Sequence, residues 1–228
     1  MRAELSVVIP TLDAADALPA CFAALFEGLH AGLIREVILS DGGSCDATRR
    51  IAEEAGAVIV TGPPSRGGQL RRGAAAAQGA WLLVLHADTV LPEGWADAVR
   101  ARMRQGGAAA FRLGFDAGGV AAWLVAGWAN LRSAVFGLPY GDQALLVSRR
   151  DYEAVGGYPD IPLMEDVALA RALGRHARHI ALLPLCVTTS AARYRRDGWL
   201  QRGARNLWLL ARYLGGADPA RLAARYRR

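Results

Sequence analysis

The chain has 228 residues, 53% of them apolar, enough to bury a substantial core in one large domain and too apolar for a chain dominated by disorder. Every one of its 27 basic residues is arginine, and against 21 acidic residues the net charge is +6. That balance points to a polyanionic partner, whether a phosphate-bearing substrate, an acidic membrane surface or nucleic acid, and does not choose among them. Cys21, Cys45 and Cys186 are odd in number and form no C-x-x-C pair, which argues against a disulfide framework or a zinc site and fits a reducing cytoplasm. No apolar leader follows Met1, so a cytoplasmic location is expected.

In chain order, residues 5–9, 36–39 and 81–85 are short apolar runs separated by helix-like stretches, the alternation of a parallel sheet wound by helices. Asp13 is expected to cap the first helix, whose Leu18, Phe22, Leu25, Phe26 and Leu29 recur at helical spacing. A second helix is expected from Ser44 or Asp46 to just before Gly56, followed by a short strand at 57–60. Residues 65–79 open on Arg66-Gly67-Gly68 and continue as an alanine-rich helix before the strand that delivers His86-Ala87-Asp88-Thr89. Beyond Pro92 the pattern predicts a helix to about residue 105, a strand at 108–115, then an apolar helix near Trp123 and Trp128. That charge-free stretch between Asp116 and Arg132 is shorter than the ~20 residues of a spanning helix and reads as buried or interfacial. Gly141-Asp142-Gln143 precedes a strand at 144–148, and another helix follows Met164-Glu165-Asp166. The tail from Arg193 carries ten arginines and two aspartates, a net charge of about +8. Its helix near 199–214 should place Arg202, Arg205 and Arg212 opposite Leu200, Leu207, Leu210 and Leu214. Such a helix either docks on the domain with its arginines in water or lies on an anionic membrane.

Thr11, Asp41 and Asp88 each sit just past the end of an apolar run. Open α/β sheets bind ligands beyond the carboxyl ends of their strands, so these residues should face one crevice. Asp41, before two glycines, either presents its carboxylate and neighbouring N–H groups to a ligand or forms an Asx turn. Asp88, two residues after His86, offers a hard oxygen suited to Mn2+ or Mg2+, or caps the turn before Pro92. Glu165 and Asp166 either cap a helix through its dipole or form a functional carboxylate pair.

The ordered segments Ser6-Val7-Val8-Ile9-Pro10-Thr11, Asp41-Gly42-Gly43-Ser44-Cys45-Asp46-Ala47-Thr48, His86-Ala87-Asp88-Thr89 and Glu165-Asp166 resemble the motifs of family 2 glycosyltransferases with the GT-A fold. The likeness is closest to a short bacterial subgroup with a His-Ala-Asp-Thr metal motif, and it continues through Gly141-Asp142-Gln143 and Gly156-Gly157-Tyr158-Pro159 to the tail. It implies a GT-A-like single domain of α/β class, with a Rossmann-like, mostly parallel sheet flanked by helices. Residues 1–192 would form that domain, 1–92 being the nucleotide-sugar half and 93–192 the acceptor half, with 193–228 a basic helical tail. The implied reaction moves a sugar from a nucleotide-diphosphate donor to an acceptor hydroxyl, with inversion and with Mn2+ or Mg2+ as cofactor. The Gln-x-x-Arg-Trp signature of processive members is absent, which argues against polymerisation.

Residue by residue, the resemblance implies that Pro10, Thr11 and Asp13 line the nucleotide pocket, that Asp41 hydrogen-bonds the base, and that Arg66 approaches the base or diphosphate. His86, Ala87 and Asp88 would lie along the sugar nucleotide, with Asp88 taking the metal. Asp166 would be the catalytic base and Glu165 its organiser. Two positions depart from the family pattern: Asp13-Ala14 stands where Asn-Glu is usual, and His86 replaces one of the paired aspartates. For the acceptor, which is unidentified and in one reading lipid-linked, Tyr140, Asp142 and Trp128 are the candidate contacts, with core packing the alternative for the tryptophans. Two other functions compete: a catalytically weak sugar-nucleotide-binding protein, suggested by the thinned metal motif, and a basic nucleic-acid-binding domain, supported by charge alone and expected to be wrong.

Overall fold

Strand β1 (Leu5–Thr11) is buried on both faces, which is why its sequence is mostly apolar, with Val7, Val8 and Ile9 in succession, instead of alternating. In the computed structural model, which describes residues 3–176 and 179–226, β1 pairs in parallel with β2 (Ile34–Asp41) on one side and β4 (Trp81–Val84) on the other. Met1, Arg2 and the tail's final Arg227 and Arg228, counted in the charge above, lie outside the described residues. Strand β3 (Val58–Thr61) extends the sheet beyond β2. Helices α1 (Leu18–His30), α2 (Thr48–Glu54) and α3 (Arg66–Ala76) make the crossovers. Because the chain winds outward from β1 in both directions, the β1–β4 junction is the switch point where such sheets open a ligand crevice.

The second half continues as β5 (Thr89–Val90), α4 (Trp95–Gln105), β6 (Ala109–Phe115), α5 (Val120–Phe136), a 3-10 turn (Gly141–Gln143), β7 (Leu145–Ser148), α6 (Arg149–Ala154), α7 (Glu165–His176) and β8 (Ala181–Thr189). The eight strands lie in the order β3-β2-β1-β4-β7-β6-β8-β5. β7 runs antiparallel between β4 and β6, and β6 pairs in parallel with β8. Glycines set the layer spacing. A Cβ added at Gly73 would lie 2.5 Å from Val8 Cγ1, so α3 sits close on β1, and one at Gly28 would lie 2.5 Å from the Trp95 ring, which is fully buried between α1 and α4. The expected strands and helices up to β4 fall where the apolar runs place them.

Three expectations change. Asp13 does not cap α1: it sits at φ 48°, four residues before the Ala17 cap position, and its carboxylate accepts from the backbone N–H of Cys45. Helix α5 is not wholly buried: Ala122, Ala129, Arg132 and Ser133 face inward, but its outer side is open, with Trp123 72% exposed. The tail forms α8 (Ala192–Asp197), α9 (Trp199–Leu214) and α10 (Pro219–Tyr226), and it docks through Leu209, Leu210, Leu222 and Ala223 onto Leu163, Met164 and Val167. Its faces mix the two expected sides: Arg202 is 7% exposed and turned inward and Leu200 is 81% exposed, whereas Leu210 is buried and Arg212 exposed, as a docked helix predicts. Among the described residues, no helix is long and apolar enough to cross a membrane.

Candidate active site

The crevice beyond β1 and β4 is a cleft of ≈ 1030 Å³. Its wall is built where the loops after β1 and β2 fasten to each other. Asp13 N donates to Ser44 Oγ, Ala14 N to Thr48 Oγ1 and Ala15 N to Asp46 Oδ2. Asp41 is the internal tie of this structure: its Oδ1 accepts from Thr11 Oγ1 and Ser44 Oγ, and its Oδ2 from Gly43 N and Ser44 N. Burial by itself raises the Asp41 pKa, and the hydrogen bonds from Ser44, Gly43 and Thr11 outweigh it, leaving the group below its ordinary value. Fully buried and with both oxygens hydrogen-bonded, Asp41 shapes the loop beneath the pocket and is not among the residues that line the cleft. Gln69 of α3 completes the frame by donating from Nε2 to Thr11 O and Ser40 O, clipping the ends of β1 and β2 together. Pro10, Thr11, Asp13, Arg66, His86, Ala87 and Asp88 all line this cleft.

A second cavity of ≈ 110 Å³ shares Arg66, His86 and Asp88 with the cleft and reaches Tyr140, Asp142, Glu165 and Asp166. The Arg66-Gly67-Gly68 start of α3 makes this meeting possible. A Cβ added at Gly67 would lie 2.1 Å from Pro159 O, so only glycine lets α3 touch the segment leading to α7. Arg66 Nε then stands 3.1 Å from Glu165 Oε1. Glu165 is 1% exposed and its Oε2 has no hydrogen-bond partner. Burial pushes its pKa up against the pull of Arg66. Asp166 is held by backbone amides, Oδ2 accepting from Gly141 N at 2.9 Å and Oδ1 from Val167 N at 2.7 Å.

The His86 ring lies over the 3-10 turn so closely that a Cβ added at Gly141 would be 2.4 Å from Nε2. Burial, reinforced by the Arg66 charge, lowers the His86 pKa to about 3, so the imidazole is neutral at neutral pH. The turn is fixed from below by Gln143, whose Oε1 accepts from Ser133 Oγ and Arg132 Nη2 and whose Nε2 donates to Phe111 O. The Arg132 guanidinium also stacks 3.4 Å from the centre of the Tyr140 ring.

Asp142, on the same turn, is raised to about 6 because burial outweighs the nearby Arg132, and its Oδ1 has no partner. A carboxyl raised in the fold contributes its stability below the unfolded value near 4, and that contribution is lost as pH climbs through the folded value near 6. Asp142→Asn is therefore expected to raise thermal stability at pH 7 to 8, by at most about 2–3 kcal/mol. The gain should vanish toward pH 4; melting curves of both proteins from pH 4 to 8 check it.

Among the described residues, no group of three or more His, Cys, Asp or Glu side chains forms a ready metal cage. Asp88 is nonetheless uncommitted, with no hydrogen-bond or ion-pair partner among the described residues while it lines both cavities. A single free carboxylate fits a divalent ion that takes its remaining ligands from a bound diphosphate and water.

Sequence reasoning missed the contribution of the tail. Arg193, Arg202, Arg205 and Tyr226 line the larger cleft. Arg202 donates from Nη1 to Asp197 Oδ2 and from Nη2 to Tyr226 Oη, and Tyr194 stacks on Trp199 with Phe115 edge-on to both. Reading charged residues as solvated hid this set, and the only available signal was the leucines left on the opposite side of α9. Trp128 lines neither cavity and stands exposed on α5, apart from Tyr140 and Asp142.

Residues 6–130, more than half of the chain, match the model of glycosyl transferase family 2. The chain belongs to that family. No curated protein matches it. This family 2 chain is similar in structure to the mannosyltransferase PcManGT of Pyrobaculum calidifontis, solved with GDP-Man and Mn2+, with a TM-score of 0.68, 16% identity and coverage of 96% of this chain and 66% of that one. Against glucosyl-3-phosphoglycerate synthase of Mycobacterium tuberculosis, solved with Mn2+, UDP and glucosyl-3-phosphoglycerate, the TM-score is 0.57 at 21% identity, covering 82% of this chain and 70% of that one. TarS residues 1–349 of S. aureus give 0.64 at 13% identity, covering 96% and 68%. A mycobacterial protein is covered over 65% of its length, so the family 2 chain spans about two thirds of such structures. At these identities the likeness establishes the fold, a GT-A-like α/β domain.

Proposed function

We propose that this family 2 chain is a nucleotide-sugar-dependent glycosyltransferase that moves a hexosyl group from a nucleoside-diphosphate donor to an acceptor hydroxyl, with inversion and one sugar at a time. The observation that carries the reading is the meeting of the uncommitted Asp88 and the backbone-held Asp166 on one small cavity that opens beside a nucleotide-sized cleft. Pro10, Thr11 and Asp13 form the nucleotide side, and Arg66, with Arg193, Arg202 and Arg205 from the tail, supplies positive charge for the diphosphate. Residues 1–92 would hold most of the donor contacts and 93–192 the acceptor side, with the tail helices α8, α9 and α10 closing the cleft from outside.

Asp88 would hold the divalent cation, Mn2+ or Mg2+, and the neutral His86 ring beside it adds no charge to repel one. When bound, such an ion offsets the negative charge that builds on the departing diphosphate. Asp166 takes the proton of the acceptor hydroxyl as its oxygen bonds to the anomeric carbon; the bond from that carbon to the diphosphate oxygen breaks, and its electron pair leaves with the nucleoside diphosphate. Glu165 works through Arg66, fixing its guanidinium at the junction of the two cavities. Asp142 and Tyr140 face the acceptor. The solved relatives carry UDP in one case and GDP-Man in another, so both nucleotides are candidates. The three free cysteines accord with a cytoplasmic setting.

The test is nucleoside diphosphate release from a panel of UDP- and GDP-hexoses with Mn2+ and a mixture of hydroxyl acceptors that includes membrane lipids. Release above the protein-free control, suppressed by chelation of the metal, is the expected result. A folded protein that releases nothing from any donor counts against the reading.

A further inference from the structure

Of the fifteen exposed large apolar side chains among the described residues, eleven lie on α5 and α9. On α5, Val120, Leu124, Leu131 and Val135 form a stripe along the outer face, flanked by Trp123 and Trp128; on α9, Leu200, Leu207 and Leu214 repeat at every second turn. The helices are neighbours: a Cβ added at Gly203 of α9 would lie 3.9 Å from Val125 Cγ2 of α5. Their stripes therefore belong to one surface, larger than scattered exposed leucines would account for. Neither helix contains an aspartate or glutamate. The one charged residue of α5, Arg132, is turned inward onto Tyr140. At the other side of the surface, Trp208 carries Arg212 and Arg225 at 5.8 and 5.5 Å from its ring centre.

We propose that the joint outer face of α5 and α9 is a docking surface for an anionic phospholipid leaflet, the leucines and tryptophans entering the acyl boundary and Arg212 and Arg225 meeting the headgroups. Tryptophan beside arginine suits the membrane interface, where the ring sits at headgroup level and the cation pairs with lipid phosphate. Charge separates this occupant from a second copy of the chain. An isologous dimer through this face would set its arginine fringe against itself with no carboxylate on either helix to answer it, while an anionic leaflet neutralises the same fringe. Of the three α9 arginines expected on one side, Arg202 and Arg205 turn to the cleft and Arg212 remains for the headgroups.

Sedimentation with vesicles of phosphatidylcholine containing phosphatidylglycerol, and with phosphatidylcholine alone, tests this. The protein should bind the anionic vesicles, less so at high salt. The double variant Trp123→Glu, Leu131→Glu should lose about tenfold or more of that affinity, since each change removes a large apolar side chain from the buried set. Its melting temperature and nucleotide release should stay unchanged, because neither side chain lines a cavity. Absence of binding to both vesicle types overturns the proposal. So does a dimer in ultracentrifugation that the same two substitutions dissolve, which would give the face to a second copy. Neither result bears on donor turnover, so this proposal and the catalytic one fail separately.

Discussion

Asp166→Asn is expected to lower turnover by about 10²- to 10⁴-fold, the usual contribution of a positioned proton acceptor, while nucleoside diphosphate affinity changes little. The substitution keeps the shape of the side chain but removes its basicity. Each Asp166 oxygen accepts one backbone N–H, from Gly141 and from Val167. An asparagine can satisfy only one of them, so a stability loss of about 1 kcal/mol should accompany the kinetic effect. That cost is too small to unfold the protein. A loss confined to turnover is the signature of a group that acts in the transition state, and measuring kcat and KM separately for wild type and variant reads it. If KM rose while kcat held, Asp166 would be a binding residue and another base would have to be found.

Asp88→Ala is the other large effect, with turnover falling by roughly 10²- to 10⁴-fold as the several kcal/mol of charge stabilisation that an ion supplies is lost. The fold should not suffer. Asp88 has no bonded partner to lose among the described residues, and its charge helps to raise the pKa of Asp142, so its removal relieves repulsion between the two carboxylates in the cavity. Melting temperature at pH 7 is therefore expected to hold or rise while activity collapses, and the two measured together distinguish a missing ligand from a damaged protein.

β1 and β4 were legible because burial on both faces leaves a mostly apolar run that little else explains, and residues 5–9 and 81–85 became those strands for that reason. Thr11 and Asp88 sharing the cleft followed from the winding of the sheet. Asp41 was less legible, since strand order places a residue at the crevice without saying whether its oxygens are free, and here Thr11, Ser44 and Gly43 take them all. Helix α9 misled for a related reason. Sorting its residues by hydropathy put Leu210 with Leu200, Leu207 and Leu214, of which only Leu210 is buried, and Arg202 with the exposed Arg212, although Asp197 and Tyr226 hold Arg202 inward. Trp128 could not be placed because an apolar helix facing lipid and one facing a core have the same composition.

The most direct test is a calorimetric titration of the wild-type protein with UDP and with GDP, each with and without Mn2+, repeated on Asp88→Ala. Binding of one nucleotide that depends on Mn2+ and disappears in the variant is the predicted result. Metal-independent binding that survives the substitution would contradict the role of Asp88, and no binding of either nucleotide by the folded protein would contradict the assignment of the cleft to a UDP- or GDP-linked donor.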